Sequence, residues 1–170
     1  MRSIPMSRRL RLRLGVGLLA AAWGVCGHAD AEAQTASASA VEAVPVQGLA
    51  FGPLLPGVPE AVSVRDGARR AEVVLDGQGT VDVSFLLPRA MVSASGARIP
   101  LHFGALDGAV VRHASSGLIP LNPLETSRLR LQSGQGAARL LLGGTALPAP
   151  DQPAGRYATT VVLVLSNPGT

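Results

Sequence analysis

Apolar and polar residues alternate along most of this chain in short stretches, and glycine or proline interrupts the alternation about every eight to twelve residues. In "TVDVSFLL", Val81, Val83 and Phe85 fall on one face while Asp82 and Ser84 fall on the other. In "SRLRLQS", Leu129 and Leu131 oppose Arg128, Arg130 and Gln132. A period of two sends successive side chains to opposite faces of an extended backbone, so both stretches predict half-buried antiparallel strands. Further strands are expected over residues 41–46, 49–51, 61–64, 71–75, 99–103, 110–112, 138–142 and 157–166. No window after Ala33 carries a sustained apolar stripe of helical period, so no helix is expected there.

This many short strands in about 130 residues predicts an all-β fold in which two antiparallel sheets pack face to face, with a closed barrel as the alternative. The expected core is Val, Leu, Ile and Ala, with Phe51, Phe85, Phe103 and Tyr157 as its larger members. An antibody-type core is excluded, because that stretch offers neither a cysteine pair nor a tryptophan.

The N-terminal segment breaks the pattern. Arg8, Arg9, Arg11 and Arg13 precede an apolar run from Leu14 to Cys26, and two small-residue sites follow, Ala29-Asp30-Ala31 and Ala31-Glu32-Ala33. This order predicts a signal peptide over residues 1–33, cut after Ala31 or Ala33, and export to the periplasm, the cell surface or the medium. The apolar run is shorter than the roughly 18 to 20 residues of a membrane span, so no stable span is expected. Residues 34–40 are Gln, Thr, Ala and Ser and read as a flexible arm, leaving residues 41–170 as one domain. Cys26, the one cysteine, lies in the leader, and the preceding Trp23-Gly24-Val25 does not fit a lipidation site. The processed chain then has no disulfide, thiol nucleophile or cysteine-based zinc site.

Removing the leader also changes the charge balance. The whole sequence has 15 arginines, no lysine and 11 acidic residues, but only ten arginines and nine acids follow Ala33, a net of +1. The remaining arginines, among them Arg69-Arg70, Arg128 and Arg130, are scattered and lack neighbouring aromatic residues. They read as solvent-facing positions on strands, and no nucleic-acid partner is expected. Two histidines follow the leader, His102 and His113. Ser115, His113 and Asp107 could be combined on paper, yet no nucleophile elbow or oxyanion motif accompanies them. No catalytic, metal or cofactor site is expected, and the chain reads as a non-enzyme.

Both ends of the domain carry a family pattern. "GGTALPAPDQPAGRYATTVVLVLSN" resembles the C-terminal signature of exported bacterial pilin-like domains, with Gly143, Gly144, Leu147, Pro148, Gln152, Ala154, Gly155 and Tyr157 at the matching positions. "ASAVEAVPVQGLAFGPLLPG" resembles their opening, an alternating strand, a turn and an L-x-F-G element formed by Leu49, Ala50, Phe51 and Gly52. The chain most resembles the domain-of-unknown-function 4402 family, a relative of chaperone-usher pilins and spore coat protein U domains.

That resemblance implies an immunoglobulin-like, pilin-like sandwich that lacks one strand and receives it from a periplasmic chaperone and then from the N-terminal arm of the next copy. It implies a structural or adhesive subunit at the cell surface or in fimbriae. Strand addition of this kind gains affinity from backbone hydrogen bonds and specificity from alternate side chains. Ala36, Ala38 and Ala40 alternate with Ser37 and Ser39, and Val44 and Val46 continue their parity, so these five residues form a candidate exchange arm. The arm reads equally as a plain Ala/Ser remnant, and Pro45 removes one ladder donor. The alternative function is a self-complete secreted or periplasmic binding module that does not polymerise.

Two local expectations complete the reading. Gly143-Gly144 should permit a bulge or a positive φ where a strand leaves its sheet. Residues 157, 159, 161, 163 and 165 should face inward, while Val162 and Val164 make the other face of the last strand apolar as well. Such a strand needs cover, because a bare edge invites pairing with another chain.

Overall fold

The computed structural model of the chain describes residues 8–9, 41–112, 117–132 and 136–168, and every regular element among them is a β-strand. In chain order these are β1 (Arg8–Arg9), β2 (Glu42–Gln47), β3 (Glu60–Val62), β4 (Ala71–Asp76), β5 (Gly79–Leu86), β6 (Ala90–Ser93) and β7 (Arg98–His102). The second half holds β8 (Gly108–Arg112), β9 (Leu118–Leu121), β10 (Ser127–Leu131), β11 (Ala138–Leu142), β12 (Gly144–Ala146), β13 (Tyr157–Ala158) and β14 (Val162–Ser166).

All pairings are antiparallel, and the strands form three sheets ordered β1-β14-β5-β10, β2-β4-β11-β8-β9 and β13-β6-β7-β12-β3. The first two sheets pack face to face. Val81, Val83, Leu129 and Leu131 from one close on Leu75, Val110, Leu121, Ala138 and Leu140 from the other. The third sheet seals one end around a second core of Phe51, Val62, Met91, Ile99 and Ala146, with Leu49, Leu101 and Tyr157 against it. The expected all-β sandwich is therefore the fold observed.

The period-two reading holds where one face meets water. Leu129 and Leu131 are buried between exposed Arg128 and Arg130. Arg128 lies directly across from Asp82 of β5 and grips its carboxylate with two bonds, of 2.8 and 3.2 Å. In β11 alternation gives way to a run, and Leu140, Leu141 and Leu142 are all buried, as suits a central strand bonded on both sides.

Four details correct or extend the strand assignments. Residues 49–51 form no strand, although Leu49 and Phe51 pack in the second core and the Ala50 amide donates to the Arg69 carbonyl at 2.8 Å. The stretch 157–166 is two strands, because β13 pairs with β6 in the third sheet and β14 with β5 in the first. Residues 159–161 carry the chain between those sheets; of the positions expected inward, Tyr157 packs on the second core and Leu163 and Leu165 on the first, whereas Thr159, between the two sheets, is exposed. Strands β6, β9 and β12 were not anticipated.

β11 runs on into β12 and thereby changes sheets at Gly143. A Cβ at Gly143 would collide with the Val62 carbonyl oxygen, and one at Gly144 would lie 2.8 Å from the Phe103 ring. Neither glycine is in the left-handed region, so the expected positive φ is replaced by a different requirement, close approach of backbone and ring. The first two sheets are joined through the turn between β4 and β5. There Gly77 and Gly79 take φ of 133° and 110°, and the Asp76 carboxylate accepts the Gly77 amide at 2.8 Å.

Arg69 and Arg70 depart from the solvent-facing expectation. Arg69 pairs with Glu60 and Asp66, while Arg70 donates to the Val64 carbonyl and to Glu72, both at 3.0 Å. Arg139 reaches the other oxygen of Glu72 at 3.1 Å. Burial pushes the Glu72 carboxyl up, but the two guanidinium groups outweigh it and hold the group below its ordinary 4.5. A depressed folded-state pKa gives stability that is fully present above the unfolded value and is lost as pH falls through the folded one. Denaturation midpoints should therefore drop as pH falls below 4.5, and Glu72→Gln should flatten that drop. Parallel pH profiles for the two proteins would refute the assignment.

Candidate functional site

β2 and β14 are edge strands of the two facing sheets. β2 bonds only to β4 among the described residues, and β14 bonds to β5 on one side and, on the other, only to Arg8–Arg9 opposite Leu165 and Val164. Between these edges the sandwich stays open, leaving a groove of about 520 Å³. Val73, Leu140 and Leu142 line it from one sheet and Phe85 and Leu163 from the other, with Val161 just ahead of β14 beside them. Phe51, Met91, Phe103 and Tyr157 line its end beside the second core.

No Asp, Glu, His or Arg is among the residues lining the groove. Its walls thus offer dispersion and hydrophobic contact rather than charge. The backbone along residues 159–161 belongs to no ladder, so the groove also presents main-chain groups beside its apolar floor. An extended segment with apolar side chains on one face could satisfy both at once.

The candidate arm is only partly in view. Val44 and Val46 sit in β2, which pairs residue by residue with β4 of the same chain, with a bulge between Pro45 and Gln47. Val44 is 45 % exposed and Val46, 60 % exposed in the bulge, borders the groove, while Val41 and Ala43 take the inward positions against the main core. Ala36, Ala38 and Ala40 lie outside the described residues.

Several signature residues converge on the start of the last strand. The Tyr157 hydroxyl donates to the Pro153 carbonyl at 2.6 Å and accepts from Gln152 Nε2 at 2.7 Å. Gln152 Oε1 in turn accepts the Ala149 amide at 3.3 Å, and its own amide donates to the Ala149 carbonyl at 3.0 Å. A tyrosine that bonds back to the backbone just upstream of its strand is the corner device of immunoglobulin-like sandwiches. Leu49 and Phe51 pack in the same core as Tyr157, and Gly52 supports the adjoining bend with φ of 73°. Leu147 is exposed and acts through its amide, which donates to Pro100 at 2.9 Å; Pro148 is buried, and Ala154 and Gly155 lie exposed in the loop.

Tyr157→Phe removes both hydroxyl bonds while keeping the ring. The expected cost is about 1 to 1.5 kcal/mol, read as a lower midpoint in urea. An unchanged midpoint would show that the corner does not hold the last strand in place.

Of the residues set aside as catalytic, His102 and Asp107 are not among those lining the groove. His102 is exposed on β7, and the Asp107 carboxylate accepts the Gly104 amide at 2.7 Å within a turn. His113 and Ser115 lie outside the described residues. Among the described residues no group of three or more His, Cys, Asp or Glu is placed to hold a metal ion, and no helix is long and apolar enough to cross a membrane.

Sequence reasoning did not find the groove lining as such. Its one signal was the final strand, apolar on both faces and therefore in need of cover. What the fold and this site define is an antiparallel β-sandwich left open along one side, between its first long strand and its last. No protein-family model, curated protein or solved structure matches the chain.

Proposed function

We propose that this is an exported, non-enzymatic β-sandwich subunit that works at the cell surface, in fimbriae or as an adhesive component, by accepting an extended strand into its open side. The observation that carries the reading is the uncharged, apolar groove between β2 and β14, flanked by the edge of β2 and by an edge of β14 that pairs only with Arg8–Arg9 among the described residues. The antiparallel seating of Arg8–Arg9 on the edge of β14 supports it, since that edge already takes an extended segment. The pilin-like signature, the tyrosine corner and the leader-like N-terminus point the same way.

The test is Val161→Arg, which places a charge in the groove wall at a half-buried position. The variant is expected to appear outside the cell as a free subunit with an unchanged far-UV spectrum, while the unaltered protein sediments with surface assemblies. Equal assembly of both would sink the proposal.

A second reading, a self-complete secreted module, is favoured by one observation: residues 42–47 already pair within their own sheet. It requires the purified, processed chain to be a monomer whose melting temperature does not respond to any added strand.

A further inference from the structure

We infer that the strand accepted by the groove comes from a different protein and carries bulky aliphatic side chains at alternate positions, because this chain's own arm cannot fill the space. The inference rests on the strand-accepting reading above. It starts from what the arm has left to offer. Residues 34–40 are Gln34, Thr35, Ala36, Ser37, Ala38, Ser39 and Ala40, so their only purely apolar side chains are three methyl groups. The larger residues of the same parity are already placed in β2: Val44 lies opposite Val74 of β4, and Val46 sits in the bulge between Pro45 and Gln47, where it is part of the groove's own wall.

Set against this is the size and chemistry of the opening. A groove of about 520 Å³ has room for more than ten water molecules at roughly 30 Å³ each. Three methyl groups would leave most of that volume to water lying on the half-buried Val73, Phe85, Val161 and Leu163, so most of the apolar burial these offer would be forgone. A second copy brings the same arm and the same deficit. A segment with leucine, isoleucine or valine at every second position would place its large side chains on one face, about 6.7 Å apart, while its backbone pairs along residues 159–163. The uncharged lining requires those inward positions to be uncharged as well. A chain that receives such a strand and supplies none sits at one end of an assembly, with the donor always another kind of subunit.

The experiment uses the protein in its exported, processed form and two peptides: a nine-residue peptide alternating leucine and threonine with charged ends, and the chain's own residues 34–46. Calorimetry and thermal melting read the affinity, and a spin label on each peptide reads the site through broadening of the amide signals of residues 159–163. The alternating peptide is expected to bind, raise Tm and broaden those signals, with the arm peptide at least about 100-fold weaker. Val161→Arg is expected to abolish the broadening. Arm-peptide affinity equal to or above that of the alternating peptide, or self-assembly of the processed chain through the groove, would overturn the inference and leave the acceptor reading intact. Binding of neither peptide would remove the acceptor reading and the inference with it.

Discussion

Gly143→Ala is expected to cost the protein at least about 3 kcal/mol, the upper end of what forced overpacking usually costs. The added methyl has nowhere to go, because it would run into the Val62 carbonyl oxygen, with the Val64 amide nitrogen 3.2 Å away on the same side. Both are backbone atoms, so no rotamer change can relieve the contact. Moving Gly143 aside would break the bond from its amide to the Asp107 carbonyl, 2.7 Å long. It would also disturb the point where β11 passes into β12. Gly48→Ala is the matched control, since a Cβ there meets nothing within 4 Å. Urea midpoints should fall steeply for the first and hardly at all for the second; similar values would show that the strand crossing can shift to accommodate a methyl.

Leu75→Ala is expected to follow, at about 4 kcal/mol within the range for emptying a fully buried leucine site. Leu75 is 0 % exposed at the centre of the main core. Its cross-strand neighbours are Ala43 on β2 and Ala138 on β11, so neither side carries a chain long enough to fall into the space left behind. Leu163→Ala should cost much less, about 1 to 2 kcal/mol, because that side chain already borders the groove and its removal enlarges an opening rather than creating a closed cavity. Once a strand occupies the groove the two costs should converge, which calorimetric melting with and without the alternating peptide would measure.

The sequence disclosed those parts of the fold in which one face of a strand meets solvent. Val81, Val83, Leu129 and Leu131 were placed correctly because Asp82, Arg128 and Arg130 mark the wet side between them. The split of residues 157–166 into β13 and β14 left no such mark, since an apolar run does not record which sheet each half joins. Gly143 and Gly144 announced that a side chain was unwelcome, but not that a carbonyl oxygen and an aromatic ring were the cause, because Val62 and Phe103 are remote in sequence. The groove was legible only from one wall. Its other wall depends on where residues 45–49 and Leu140 come to lie, and that follows from strand order, which alternation does not encode.

The registers of β2 and β14 fix the direction in which the molecule faces. Glu42, at the start of β2, lies opposite Asp76, and Ser166, at the end of β14, lies opposite Asp82, so both strands have their outer ends beside the turn joining β4 to β5. The described domain is thus entered and left at one pole, and the proline-bearing loops, where Gly57 rests against Pro150, stand at the other. Pulled by its two ends, such a body would open like a zip, one ladder bond at a time from that pole, instead of shearing whole strands at once. A strand lodged between β2 and β14 would stitch the zip closed, turning a mechanically soft module into one that carries load.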